Sequence, residues 1–161
     1  MTDVPDLNSQ LEPLLRLVVA LVLGAAVGLE RELHRMPAGF RTHALVGLGS
    51  AIFTVVSAFA FIGPVSDPTR IAAQIVTGVG FLGGGAILHY RGAVRGLTTA
   101  ASLWSVAAIG MAAGAGLYVI AVGGAVLVVV TLELLDRVEA RLKKRQGRGQ
   151  FDADTYPEET D

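Results

Sequence analysis

Apolar runs separated by short polar breaks fill the chain from residue 14 to residue 135. Their spacing predicts five membrane-crossing helices, at 14–29, 44–63, 71–88, 97–113 and 117–135. Each approaches the roughly 20 apolar residues that cross a hydrocarbon core about 30 Å thick. The first run is the shortest and holds Arg16, whose long stem can carry its charge to the interface. Pro13 fits the first turn of that helix, and Pro37 with Gly39 ends it. Asp67 and Pro68 fit the N-cap and first position of the third helix. Residues 97–132 carry no charge at all. As one helix, 97–135 would run about 58 Å at about 1.5 Å per residue, so it must fold back. Gly114-Ala115-Gly116 is the natural place. Residues 1–13 read as a lead. Residues 136–161 read as a tail, basic first and then acidic, and 151–161 is too polar to pack a core.

The fold class is therefore all-α, a polytopic membrane bundle of five transmembrane helices. Orientation follows from Lys and Arg. Eleven of the thirteen fall in 30–43, 89–96 and 136–148, which five crossings place on one side. The positive-inside rule makes that side cytoplasmic, with the N-terminus out and the C-terminus in. Residues 1–12 are acidic rather than basic, which does not fit a cleavable signal peptide.

Composition agrees. Hydrophobic residues make up 52% and charged residues 17%, against about 25% charged in a soluble domain. The net charge of -1 says little, because the charges are segregated. With no cysteine, disulfides, thiolate metal sites and cysteine nucleophiles are excluded. No Ser/His/Asp set shares one element, and no phosphate-binding loop is present, so the expectation is no enzyme, no cofactor and no metal.

Residues 74–88 hold five glycines in fifteen and no charge. The run Gly78-Val79-Gly80-Phe81-Leu82-Gly83 spells G-x-G-x-x-G, but no strand precedes it and position 103 is Leu rather than an acid, so it is not a dinucleotide fingerprint. Small residues four apart let membrane helices approach closely. Gly80/Gly84, Gly24/Gly28 and Gly110/Gly114 are such pairs. With Gly78, Gly83 and a deep Trp104 they are expected to pack helices, within one molecule or in a homodimer.

The polar residues within or beside the spans are the candidate functional cluster. Arg41-Thr42 and Arg95-Gly96-Leu97-Thr98-Thr99 each open a span on the basic side. They read as snorkelling arginines with threonine caps, or as a convergent site for an anionic group or a partner's carboxylate. Arg70 and Gln74 start the third span, where Gln74 either bonds another helix or lines a cavity. Glu30, Glu32 and His34 could hold a divalent ion, but Arg31 and Arg35 interleave and neutralise them. Glu133 is placed to pair with Arg137 one turn on.

These segments, in this order, resemble the MgtC/SapB family of bacterial membrane proteins. The matching pieces are Gly28-Leu29-Glu30-Arg31, Ala38-Gly39-Phe40-Arg41-Thr42, Arg70-Ile71-Ala72-Ala73-Gln74, the 78–83 glycine run, and Arg95-Gly96-Leu97-Thr98-Thr99-Ala100-Ala101, then Leu103-Trp104 and Ala107 to Gly110. The resemblance covers 14–135. It implies an inner-membrane protein of about five spans, linked to growth at low magnesium, that modulates other membrane proteins such as the F-type ATP synthase. The chain resembles the shorter SapB-type module, without the C-terminal ACT-like domain of MgtC. MgtC tends to have Asn where Thr98 stands. Two functions are therefore expected to compete. One is a non-catalytic modulator of membrane and ion homeostasis acting through helix contacts. The other is an ion or small-solute transporter with a polar path near Gln74, Arg95 and Thr98. The partners expected are the lipid bilayer and other membrane proteins, not nucleic acid.

Overall fold

A computed structural model describes residues 7–59, 67, 69–90 and 93–151. The start of the expected lead, the 60–66 turn, Pro68, Arg91 and the acidic end 152–161 lie outside the described residues. The elements are α1 (Leu7–Leu33), α2 (Phe40–Phe59), α3 (Thr69–Ala86), β1 (Leu88–Tyr90), β2 (Ala93–Arg95), α4 (Leu97–Gly114) and α5 (Tyr118–Phe151). The chain divides into two compact units, Met1–Val128 and Val129–Asp161. In the second, Arg137 donates to Glu133 at 2.8 Å.

Among the described residues four helices are long and apolar enough to cross a membrane: Ser9–Leu33, Phe40–Phe59, Leu97–Gly114 and Tyr118–Leu135. The expected fifth, α3, is not among them, because Arg70, Gln74 and five glycines dilute its apolar content. Two further details differ from the sequence reading. Pro13 sits inside α1, which begins at Leu7. The expected basic loop after α3 is instead an antiparallel hairpin, with Leu88 opposite Arg95 and Tyr90 opposite Ala93. Tyr and Val, one in each strand, are residue types enriched in extended backbone.

The interior is built from small residues. Buried Ala20, Gly24, Val27 and Arg31 recur every three or four positions and make one face of α1. A Cβ on Gly24 would lie 2.7 Å from the His43 carbonyl oxygen, and one on Gly28 2.8 Å from Phe40 Cα. Thus α1 and α2 run antiparallel with backbones touching. Gly110 meets the backbone of Gly47, and a Cβ on Gly114 would lie 2.8 Å from the Ala51 oxygen. Those contacts advance together along both helices, so α2 and α4 are parallel. α3 is the return between them. It packs Ile75 and Val79 against Ala107, and Gly83 against Ala100, antiparallel to α4.

The turn from α4 to α5 falls at Gly114-Ala115-Gly116. Leu117 N–H donates to the Ala112 oxygen (2.8 Å) and Gly116 N–H to the Ala113 oxygen (2.9 Å). Gly116 takes φ +79°. That is a Schellman ending, which needs the left-handed residue that glycine supplies. Arg16 closes this end of the bundle. It donates to the Gly114 oxygen at 3.0 Å, pairs with Glu12 at 2.7 Å, and sits 5.4 Å from the Phe59 ring centroid. Its charge is held by a helix C-terminus, an acid and a ring face. Snorkelling alone does not describe it.

Candidate functional site

At the other end, two arrangements gather polar groups: a closed cluster and an open groove. The cluster starts where Arg31 continues the buried face of α1. Arg31 is fully buried, and Glu30 nearly so. The Arg31 Nε and Nη2 groups donate to the two carboxylate oxygens of Glu30, a two-pronged pairing that suits an ion pair out of water. His34 Nδ1 lies 3.1 Å from the same carboxylate. Glu32 turns elsewhere: its Oε2 accepts from the Phe40 N–H at 3.1 Å and so caps α2. Glu30 and Glu32 therefore do separate jobs, one ion pairing and one capping.

His43 is wholly buried in the first turn of α2. Its Nδ1 faces the Gly39 oxygen at 2.9 Å, so Nδ1 is the donor. That leaves Nε2 for the Ser102 hydroxyl, also at 2.9 Å. The Ser102 hydroxyl also lies 2.9 Å from the Thr99 oxygen, and its single proton goes to one of these two acceptors at a time. The chain His43–Ser102–Thr99 thus ties the start of α2 to the start of α4. Both ends of the His–Ser pair are closed to solvent, so its chemistry is positional. Sequence reasoning missed it by treating each histidine alone. The available signal was Ser102, a serine just over one turn into an apolar helix, at the depth where a parallel neighbour carries a histidine.

The expected threonine caps are not present. The N-cap of α4 is Gly96, at φ +90°, with no side-chain cap bond. Thr99 is buried against the cluster, whereas Thr98, Arg95 and Arg70 are exposed. Asp67 does cap α3: its Oδ1 accepts from Thr69 N–H (2.9 Å) and from the Thr69 hydroxyl (2.6 Å). The Thr69 hydroxyl, then the Thr69 amide, hold the Asp67 carboxyl below the ordinary aspartate range.

The groove lies between α2 and α3 and encloses about 810 Å³. Arg41 and Thr42 stand at one end, Phe53 and Gln74 at the other, with Gly49 and Gly78 between them. Among the described residues no hydrogen bond or ion pair holds Arg41, Thr42 or Gln74. Gln74 therefore lines a cavity and bonds no other helix. It does not meet Arg95 or Thr98. It stands twelve residues, about 18 Å of helix, from the end of α3 that leads to them.

The packing glycines divide. Gly24, Gly28, Gly110 and Gly114 meet neighbouring backbone, and Gly83 meets Ala100. Gly78, Gly80 and Gly84 have nothing within 4 Å of an added Cβ. Trp104 is half exposed, beside a small cavity of about 160 Å³ shared with Val76 and Met111.

Parallel and antiparallel apolar helices, joined through glycine contacts and one buried polar cluster, define a polytopic helical membrane protein. Residues 17–141 match the model of the MgtC family, and the chain belongs to that family. It is 44% identical over 140 residues to the Escherichia coli (strain K12) protein named "Putative magnesium transporter YhiD", covering 83% of this chain and 65% of that protein. It is 46% identical over 116 residues to Protein MgtC of Brucella abortus (strain 2308), covering 72% of this chain and 48% of the relative. The chain thus spans between about half and two-thirds of the length of these curated relatives. No solved structure matches it.

Proposed function

We propose that this protein is a non-catalytic modulator in the bacterial inner membrane, serving magnesium and ion homeostasis by laying α3 against a transmembrane helix of another membrane protein. One observation carries the reading. Ala73, Thr77, Gly80 and Gly84 recur at helical spacing along α3 and are all exposed. An added Cβ at Gly80 or Gly84 would meet nothing within 4 Å. The Thr77 hydroxyl is already spent on the Ala73 oxygen at 3.1 Å. The face is smooth, and close backbone approach is what drives helix association in lipid. The link to magnesium comes from the relative named for magnesium transport. The F-type ATP synthase, implied by the family resemblance, is the first partner to seek. A path through Gln74, Arg95 and Thr98 draws no support, because Gln74 stands near the start of α3 and the other two follow its far end.

In this reading α3 crosses the bilayer as the return between parallel α2 and α4, with the N-terminus outside and the C-terminus in the cytoplasm. Affinity capture in mild detergent tests the function. Wild type should recover a stoichiometric membrane protein, and Gly84→Leu should lose it while remaining folded. Recovery of nothing but a second copy of this chain overturns the proposal.

A further inference from the structure

The groove between α2 and α3 lies on the other face of α3 from the Gly80/Gly84 stripe, and its chemistry is different. Its volume of about 810 Å³ falls in the range of roughly 300–1,000 Å³ that ligand sites occupy. It is polar at its ends and apolar between. Arg41 and Thr42 belong to the first turn of α2, whose N-terminus adds partial positive charge and unspent backbone donors. Glu32 takes the Phe40 amide and the Gly39 oxygen takes that of His43, which leaves the amides of Arg41 and Thr42. Among the described residues nothing on the protein neutralises Arg41. From there to Phe53 is twelve residues, about 18 Å of helix. That is close to the ~15 Å depth of one leaflet's hydrocarbon, half of a ~30 Å core. Leu45, Val46 and Leu82 line the way. Gln74 marks the deep end, so the apolar run is bounded by polar groups on both sides.

We propose that this groove holds an anionic glycerophospholipid, with its phosphate on Arg41 and Thr42 and one acyl chain laid over Gly49 and Gly78 toward Phe53. A cationic, donor-rich mouth selects the phosphate, and the apolar floor selects the chain. The missing Cβ atoms at Gly49 and Gly78 make the floor deep enough to take it, since nothing lies within 4 Å of either position. The inference stands apart from the modulator reading, because it uses the opposite face of α3.

The test counts retained lipid by native mass spectrometry after purified protein is equilibrated with equimolar phosphatidylglycerol and phosphatidylcholine. Wild type should keep phosphatidylglycerol in preference. Arg41→Gln should reduce retention about tenfold, the scale of one charge-assisted hydrogen bond. Gly78→Leu should do the same by filling the floor, with Gly49→Leu as the second filling variant should the first not fold. Val119→Ala, at a position on α5 that is 87% exposed, should leave retention unchanged. Equal retention of the two lipids by wild type overturns the proposal. So does full retention by a folded groove-filling variant, or a polypeptide occupying the groove in place of lipid.

Discussion

Gly110/Gly114 in α4 and Gly80/Gly84 in α3 are the same sequence feature, two glycines one turn apart in an apolar helix. The structure uses them in opposite ways. The α4 pair lies against the backbone of α2 at Gly47 and Ala51. At the α3 pair an added Cβ would meet nothing within 4 Å among the described residues. The same division runs through the polar residues. Glu30, Arg31, His43 and Ser102 are buried where α1, α2 and α4 meet. Arg70 and Gln74 on α3 are exposed, and Gln74 makes no hydrogen bond among the described residues. One region has closed its small and polar residues upon each other, and the other holds them outward. A glycine pattern reports that something can approach closely, and only the neighbours tell whether that something belongs to the same chain.

The largest test of this contrast is the buried ion pair. Glu30→Ala leaves the buried Arg31 guanidinium without this carboxylate, and removing one partner of a buried pair costs about 3–5 kcal/mol. Unfolding of detergent-purified protein should show it as a large fall in midpoint. Gln74→Ala, in the open region, should leave the midpoint nearly unchanged. Equal effects would erase the distinction between the two regions.

Next comes the glycine pair itself. Gly110→Ala places a methyl into the Gly47 backbone, which no side-chain rotation can relieve, and overpacking costs about 1–3 kcal/mol. Gly84→Ala meets nothing, and replacing a helical glycine gains up to about 1 kcal/mol. The two substitutions should therefore move the unfolding midpoint in opposite directions. Third is the histidine link. Ser102→Ala removes the hydroxyl that meets His43 and should cost about 1 kcal/mol. Thr98→Ala, one turn earlier on an exposed position, should cost nothing measurable by the same assay.

Much of this fold is legible in the residue pattern, because apolar runs and glycine-rich breaks follow directly from what a bilayer tolerates. The turn at Gly114-Ala115-Gly116 is of that kind. So is the Asp67 cap, where a short acid precedes a helix. What stays hidden depends on partners distant in sequence. Glu32 caps a helix eight residues on, displacing the threonine cap that local reading suggests. His43 finds Ser102 across fifty-nine positions, which no spacing rule connects. The α3 glycines mislead for the converse reason, since a packing motif is silent about which helix will pack. The lining of the α2–α3 groove needed the antiparallel return of α3, because only that sets Gln74 at the far end from Arg41.

The smallest expected effect compares how α3 and α4 begin. Asp67 accepts two hydrogen bonds from Thr69, and its carboxyl titrates below its ordinary value. A depressed folded pKa means the cap's stabilisation is complete above the unfolded value of about 3.9. It is lost as pH falls through the lowered folded value. Amide exchange in the first turn of α3 should thus keep the same protection between pH 7 and 5, and should lose it only once the pH has fallen below the ordinary aspartate value of about 3.9. Asp67→Asn keeps a capping oxygen and should hold its protection through that acid range, while Asp67→Ala should fray the turn at every pH. The first turn of α4 starts from Gly96, with no side-chain cap, and should show no such acid step. An acid step in α4 equal to that in α3 would mean that the exchange reports general acid loosening of the bundle and not a titrating cap.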